Sequence, residues 1–201
     1  MKMTTRLIVS ATALAAALSA LPAVAEENHF AGAYAVISNE WKSASASVDG
    51  GSINASESAP SIALGYNFAL NARTTLGFKV ASDIKSGEYG KGVTHRGDTA
   101  VEERQHYSLA IEPGYVLNDH ALVFGILAWH SAKARLLVDE ERQGESNLTG
   151  LGYGIGGKYT LSHHLFVMGE IQKVSYDSQT IGGSNVKPSS TVVAVGLGYH
   201  F

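Results

Sequence analysis

The last eleven residues, T-V-V-A-V-G-L-G-Y-H-F, constrain the fold most. Val193, Val195, Leu197, Tyr199 and Phe201 share one parity, and Ala194, Gly196, Gly198 and His200 share the other. A strand sends alternate side chains to opposite faces. One face is therefore large and apolar, and the other is mostly small with one ionisable residue. An aromatic at the chain end suits a membrane interface, with the apolar face against lipid. The rival is the last strand of a soluble barrel or sandwich, so the remaining segments must decide.

The start of the chain speaks to compartment. Lys2 and Arg6 form a basic region, Leu7 to Leu21 is nearly continuous apolar sequence, and Ala23-Val24-Ala25 is a small-x-small cleavage pattern. This predicts a secretory signal peptide over 1–25 and a mature domain over 26–201. No later segment approaches the roughly 20 apolar residues of a membrane helix. Cysteine is absent although export leads to an oxidising compartment, so stability must come from packing and backbone pairing. The formal charge of −3 offers no basic surface for nucleic acid.

Period-two alternation recurs along the mature chain. The first strand is expected over 28–38, with Phe30, Tyr34 and Val36 on one face. A Ser-Ala alternation from Ser43 to Ser47 could extend it. Asp49-Gly50-Gly51 suits a hairpin tip. The return strand puts Ile62, Leu64, Tyr66 and Phe68 together, and Pro60 marks a strand margin or a bulge. Further strands are expected over 74–84, 104–115, 121–138, 147–159, 165–176 and 191–201. On 121–138, Val123, Leu127 and Trp129 are assigned outward and Phe124 and His130 inward, with a later bulge allowed for. On 147–159, Leu151, Tyr153 and Ile155 alternate with Gly150, Gly152, Gly154 and Gly156. A glycine column is poor strand chemistry by propensity. It fits a tightly curved barrel whose interior must admit long side chains from neighbouring strands.

Eight strand candidates result, and their connections alternate strictly between short and long. The short ones lie near 71, 118 and 162. The long ones are expected as polar loops near 49, over 86–103, over 139–146 and over 177–190. This layout predicts an all-β, eight-stranded, antiparallel up-and-down transmembrane β-barrel, with short turns at one end and long loops at the other. Closure would satisfy every backbone group in lipid. Tyr34, Tyr66, Tyr107, Tyr115, Trp129, Tyr153, Tyr159, Tyr199 and Phe201 are expected in aromatic girdles.

The inward parity carries Lys79, Asp83, His106, Glu112, Lys158, Glu170 and Gln172. A soluble ligand-binding barrel would need an apolar cavity in their place. Eight strands leave room only for side chains or one small ligand. Both charge signs in so narrow a lumen predict a paired network that packs the barrel shut. A narrow proton or ion path is the alternative.

Several segments resemble small outer-membrane barrels of the OmpX/Ail and opacity-protein, porin-like type. They are Glu112 to Asp119, Gly152 to Tyr159 and Val195 to Phe201. The resemblance implies the bacterial outer membrane, contact with its lipids and delivery by the barrel assembly machinery. It further implies that Phe201, helped by Tyr199 and Leu197, belongs to the assembly signal. It does not imply one activity, because members of that group include adhesins and complement-resistance factors.

The function expected is non-enzymatic, in envelope integrity or adhesion through extracellular loops. Trp41, Tyr89, His95, Arg96 and the acidic stretch 139–146 are the exposed candidates for an unidentified extracellular partner. A narrow channel for small or hydrophobic solutes is one alternative, and a lipid-modifying enzyme is another. Against the enzyme, His130 and Ser131 are adjacent and so fall on opposite faces of a regular strand, out of reach as base and nucleophile. No cofactor is expected. No metal spacing stands out, since His163-His164 would point apart in a tight turn.

Overall fold

The computed structural model describes residues 28–48, 51–84, 87–94, 97–138, 141–177, 179–181 and 184–201. The expected signal segment over 1–25, the hairpin tip at 49–50, and His95 and Arg96 lie outside these residues. The strands are β1 (Gly32–Val48), β2 (Gly51–Ala69), β3 (Thr74–Asp83), β4 (Gly87–Thr94) and β5 (Gly97–Asn118). They continue with β6 (Ala121–Val138), β7 (Glu141–Thr160), β8 (Leu165–Tyr176), β9 (Gln179–Ile181) and β10 (Ser184–His200).

Sheet order is β1-β2-β3-β5-β6-β7-β8-β10, and β10 pairs back onto β1. The seam is antiparallel and long, running from Tyr34 opposite His200 to Ser47 opposite Lys187. This is a closed antiparallel barrel of eight staves. β4 pairs with β5 above β3, and β9 pairs with β10 above β8, so each short strand prolongs a stave after a break.

Side-chain parity follows the sequence reading closely. Val123, Leu127 and Trp129 are outward, while Phe124 and His130 are inside and buried. The outer wall exposes Ile37, Ile62, Leu64, Phe78, Val80, Leu109, Ile111, Leu151, Ile155, Ile171, Val195 and Leu197. Tyr115, Tyr159, Tyr199 and Phe201 are exposed near the short-turn end, and Trp41, Tyr107 and Trp129 near the other. An apolar wall between two aromatic levels matches a bilayer-spanning barrel.

The three short turns carry their own caps. Asn71 Oδ1 accepts hydrogen bonds from the backbone N–H groups of Arg73 and Thr74, both at 2.9 Å. Asn118 Oδ1 accepts from the His120 N–H at 2.9 Å, and Ser162 Oγ from the Leu165 N–H at 3.3 Å. Side chains that mimic a backbone turn fix the chain reversal at these points.

The structure corrects several boundaries. The segments expected as loops over 86–103, 139–146 and 177–190 contain β4 and the start of β5, the start of β7, and β9 with the start of β10. Backbone pairing continues there although hydrophobic alternation has stopped. Beyond a membrane neither face of a strand must be apolar, so the sequence signal fades while the ladder does not. β1 starts at Gly32 rather than residue 28 and runs on to Val48, taking in the Ser-Ala segment. Trp41 therefore sits in a strand, opposite Val193 and Ser58, rather than in a loop. Pro60 lies inside β2 with unbroken register to β1. Its carbonyl accepts from the Ile84 N–H at 2.8 Å, which is where β3 stops. Its missing N–H thus falls on the side of the break, as a strand proline requires. The irregularity expected late in β6 occurs between Leu136 and Leu137, but the extra residue belongs to β7.

Tyr34 is a correction of another kind. It was expected in a girdle, and it is 1% exposed, inside the barrel. Phe30 is inside too and fully buried. Gly32, at φ 113°, turns the chain before β1 and accepts a conformation that other residues avoid. Asn67 Nδ2 then donates to the Phe30 carbonyl at 2.7 Å, and the Phe30 N–H donates to Asn28 Oδ1 at 3.1 Å. This segment closes the short-turn mouth of the lumen.

Candidate functional site: the barrel lumen

Inward glycines make the lumen's contents possible. A Cβ at Gly156 would stand 2.4 Å from the Phe124 ring, and one at Gly198 would stand 2.1 Å from that of Phe166. A Cβ at Gly152 would meet His130 Nε2 at 2.6 Å. Real side chains do not approach so closely, so each glycine vacates space for a large residue on a neighbouring stave.

The contents form layers. Nearest the short turns is an apolar cluster that includes Phe30, Tyr34, Leu122, Phe124 and Phe166. Tyr34 and Phe166 meet edge to face with centroids 5.9 Å apart.

Above it lies a layer of charge. Lys79 pairs with Glu112 at 2.7 Å and is hydrogen-bonded to Glu170. Glu112 also accepts from the Tyr34 hydroxyl at 3.1 Å and lies 3.7 Å from Lys158 Nζ. The Lys158 ammonium sits 3.6 Å from the Tyr34 ring centroid, a cation–π contact inside the barrel. Gln172 Nε2 donates to Glu170 at 3.3 Å. Two ammonium groups and two carboxylates, all nearly fully buried, thus face one another from β3, β5, β7 and β8. Buried charges persist only when paired in this way.

A second charged group lies closer to the long hairpins. Lys42 is hydrogen-bonded to Asp83 and lies 3.9 Å from Glu40. Its ammonium is 3.4 Å from His106 Nδ1. His106 Nδ1 also lies 3.4 Å from Asp83 Oδ1, and His106 Nε2 lies 3.0 Å from His130 Nδ1. Between the two groups is a cavity with about 20 Å³ of room for water centres. Its lining includes Ser61, Lys79, His106, His130, Glu170 and Gln172. Ser61 Oγ, His130 Nε2 and Gln172 Oε1 have no hydrogen-bond partner. A polar space of this size holds one or two waters. On the hairpin side, Val174, Tyr176 and Val192 form a further apolar cluster.

The inward residues read from the sequence thus divide. Lys79, Glu112, Lys158, Glu170 and Gln172 meet in one layer, and Asp83 and His106 in the other. Sequence reasoning missed Tyr34, Glu40 and Lys42 as members. Glu40 and Lys42 continue the parity of Tyr34, Val36 and Ser38, so counting on past residue 38 would have found them. The fold also brings Glu40, Asp83 and His106 together, with donor atoms within 4.8 Å of one another. They come from three strands far apart in sequence, and no local spacing announces the cluster.

Leu197, Tyr199 and Phe201 are exposed on the outer wall at the seam stave. Trp41 is half exposed on the wall near its hairpin end. Tyr89 lies within β4. His130 is buried in the lumen, while Ser131, next in sequence, belongs to the outward parity and pairs with Tyr107 and Thr149.

Comparison with known proteins agrees with this architecture. Crystal structures of Ail, the attachment invasion locus protein of Yersinia pestis, superpose with a TM-score of 0.54 at 15% identity, covering 85% of this chain and 99% of Ail. A second Ail structure, in complex with the heparin analogue sucrose octasulfate, gives 0.53 at 15% identity with the same coverage. Neisserial surface protein A gives 0.53 at 16% identity, covering 85% of this chain and 99% of its own. At these identities the likeness concerns the fold. No curated protein matches the chain in sequence. The family description "outer membrane protein beta-barrel domain" matches residues 10–201. With a closed eight-stave wall, an apolar belt between aromatic levels and a family match over nearly its whole length, the chain belongs to the outer membrane protein beta-barrel domain family.

Proposed function

We propose that this protein is a plugged, non-conducting outer-membrane scaffold that works through its extracellular hairpins, in adhesion or envelope integrity. The observation that carries the reading is the Lys79–Glu112–Glu170–Lys158 layer, stacked on the apolar cluster that Phe30 completes. Among the described residues, paired charges and rings fill the lumen in successive layers, which supports a plugged barrel over solute passage. The pairing of β4 with β5 and of β6 with β7 out to Val138 and Glu141 supports stiff hairpins that stand above the wall. Rigid scaffolds commonly carry function on such connections.

Residues 1–25 would act as the export signal, and residues 26–201 as the mature barrel. Phe201, Tyr199 and Leu197 would be read by the assembly machinery, which fits their exposure on the closing stave. Tyr89, His95, Arg96 and the acidic 139–146 stretch would be presented to an extracellular partner, with Trp41 beneath them at the membrane surface.

Planar-bilayer recording of the refolded mature chain tests the reading. A silent bilayer with heat-modifiable, folded protein is expected. Stable unitary currents that change with Lys79→Met or Glu112→Gln would replace the scaffold reading with a channel.

A further inference from the structure

Glu40, Asp83 and His106 reach one point in the lumen from β1, β3 and β5. That point already attracts a cation, since the Lys42 ammonium lies among all three. The side chains differ from an ordinary ion pair in one respect, which is the imidazole. His106 Nε2 lies 3.0 Å from His130 Nδ1. When Nε2 carries the proton and donates it there, Nδ1 keeps its lone pair towards Asp83 and Glu40. Metal-bound histidines are oriented in this way, by a hydrogen bond from the ring nitrogen that does not ligate.

A second observation points to a ligand. Ser61, opposite Asp83 in the β2–β3 ladder, is 1% exposed, and its Oγ has no hydrogen-bond partner. It lines the small cavity that Glu40 and His106 also line. That cavity offers a place for water in an open coordination position. Charge points the same way. Among the described residues of this group, two carboxylates face one lysine.

We propose that the hairpin-side half of the lumen binds one divalent transition-metal ion of the zinc type. Glu40, Asp83 and His106 hold it, in exchange for the Lys42 ammonium, and His130 orients His106. One imidazole and two carboxylates suit zinc, whereas magnesium and calcium take oxygen ligands alone. Lys42 is then a built-in competitor that keeps the cage compensated when no metal is present. The site is independent of the scaffold reading, since it lies inside the wall rather than on the hairpins.

The experiment titrates the refolded, detergent-solubilised mature chain with Zn²⁺ alone, against a chromophoric chelator. Co²⁺ visible absorption is recorded in parallel. Folding of every variant is checked by heat-modifiable gel migration. The exposed short-turn histidines are a competing source of binding, so His120→Gln, His163→Gln and His164→Gln are combined in one variant.

The expected result is one Zn²⁺ per chain, kept in the triple variant and lost in His106→Ala and in Asp83→Asn. His130→Ala should weaken binding by about 10- to 100-fold, as loss of an orienting partner does. Lys42→Met should tighten it. Loss of Zn²⁺ and of the Co²⁺ spectrum in the triple variant would overturn the proposal in favour of the rim. So would absence of binding in the native chain, even if Lys42→Met binds. The triple variant alters only exposed turn residues, and Asp83→Asn keeps the size and shape of its side chain, so one rim variant and one lumen variant are expected to fold.

Discussion

Replacing Glu112 with Gln tests the lumen's charge layer directly. Glu112 is 2% exposed, and it serves Lys79 at 2.7 Å, Lys158 at 3.7 Å and the Tyr34 hydroxyl at 3.1 Å. After the change Lys79 still has Glu170. Among the described residues Lys158 then has no carboxylate within ion-pair distance and keeps a neutral amide and aromatic rings, with Tyr34 nearest at 3.6 Å. The cation–π contact is present before and after, so it does not offset the loss. Removing one partner of a buried pair costs about 3–5 kcal/mol. With a urea dependence of about 2 kcal/mol per molar, the unfolding midpoint should fall by about 2 M. The measurement is reversible urea unfolding in lipid vesicles, followed by tryptophan fluorescence.

The second arm adds Lys158→Met. If the penalty is an unpaired ammonium, the double variant should lie within about 1 kcal/mol of Lys158→Met alone. The coupling energy should then be at least about 2 kcal/mol. An unchanged midpoint in Glu112→Gln, or plain additivity in the double variant, would refute the account of the layer as mutually dependent charges. It would mean that water reaches Lys158 and that the lumen is less closed than its packing implies.

Other expectations follow from the same geometry. Gly198→Val drives a side chain into the Phe166 ring, so it should cost about 1–3 kcal/mol in the same urea assay, whereas Gly169→Ala, with nothing within 4 Å, should be near neutral. Phe30→Ala should cost about 3–5 kcal/mol by cavity formation yet leave bilayers silent, because the charge layer above it still closes the lumen. Leu127→Arg, in the middle of the apolar belt, should cost about 2–4 kcal/mol, and Leu161→Arg, at a short turn, no more than about 1. Phe201→Ala should refold normally in vitro but accumulate less in outer-membrane fractions, and equal accumulation would remove Phe201 from the assembly signal.

The wall was legible in the sequence because lipid on one side and a crowded lumen on the other impose period-two contrast. Leu151 to Lys158 shows this most plainly, since bulky residues alternate with glycine. The contrast disappears over 87–103 and 141–146, where water bathes the outside. Those strands were therefore hidden, although their backbones pair as before. Tyr34 was misread because an aromatic's parity was judged by its neighbours' bulk. Val36 and Phe30 on the same parity made that face look like a lipid face, when it is the plug. The members of the charge layer were readable one by one as inward polar residues. Their partners were not, because pairing depends on stave order and stagger. Glu112 is 78 residues from Tyr34, and Lys79 is 91 from Glu170.

Those separations bear on how the barrel must form. The seam joins β1 to β10, and Ser190 Oγ reaches the Ser43 carbonyl across 147 residues. No stable fragment of the wall can hold the charge layer, because its members arrive from the first, third, fifth, seventh and eighth strands of the chain. Lys158 and Glu112 have no shielded partners until the last stave docks. Contacts of such long range make folding slow. The same closure makes unfolding slow, since opening the seam would expose edges and strand unpaired charges in one step. Heat and detergent should then unfold this barrel at a rate set by the barrier to parting β1 from β10, rather than in step with the depth of the folded minimum.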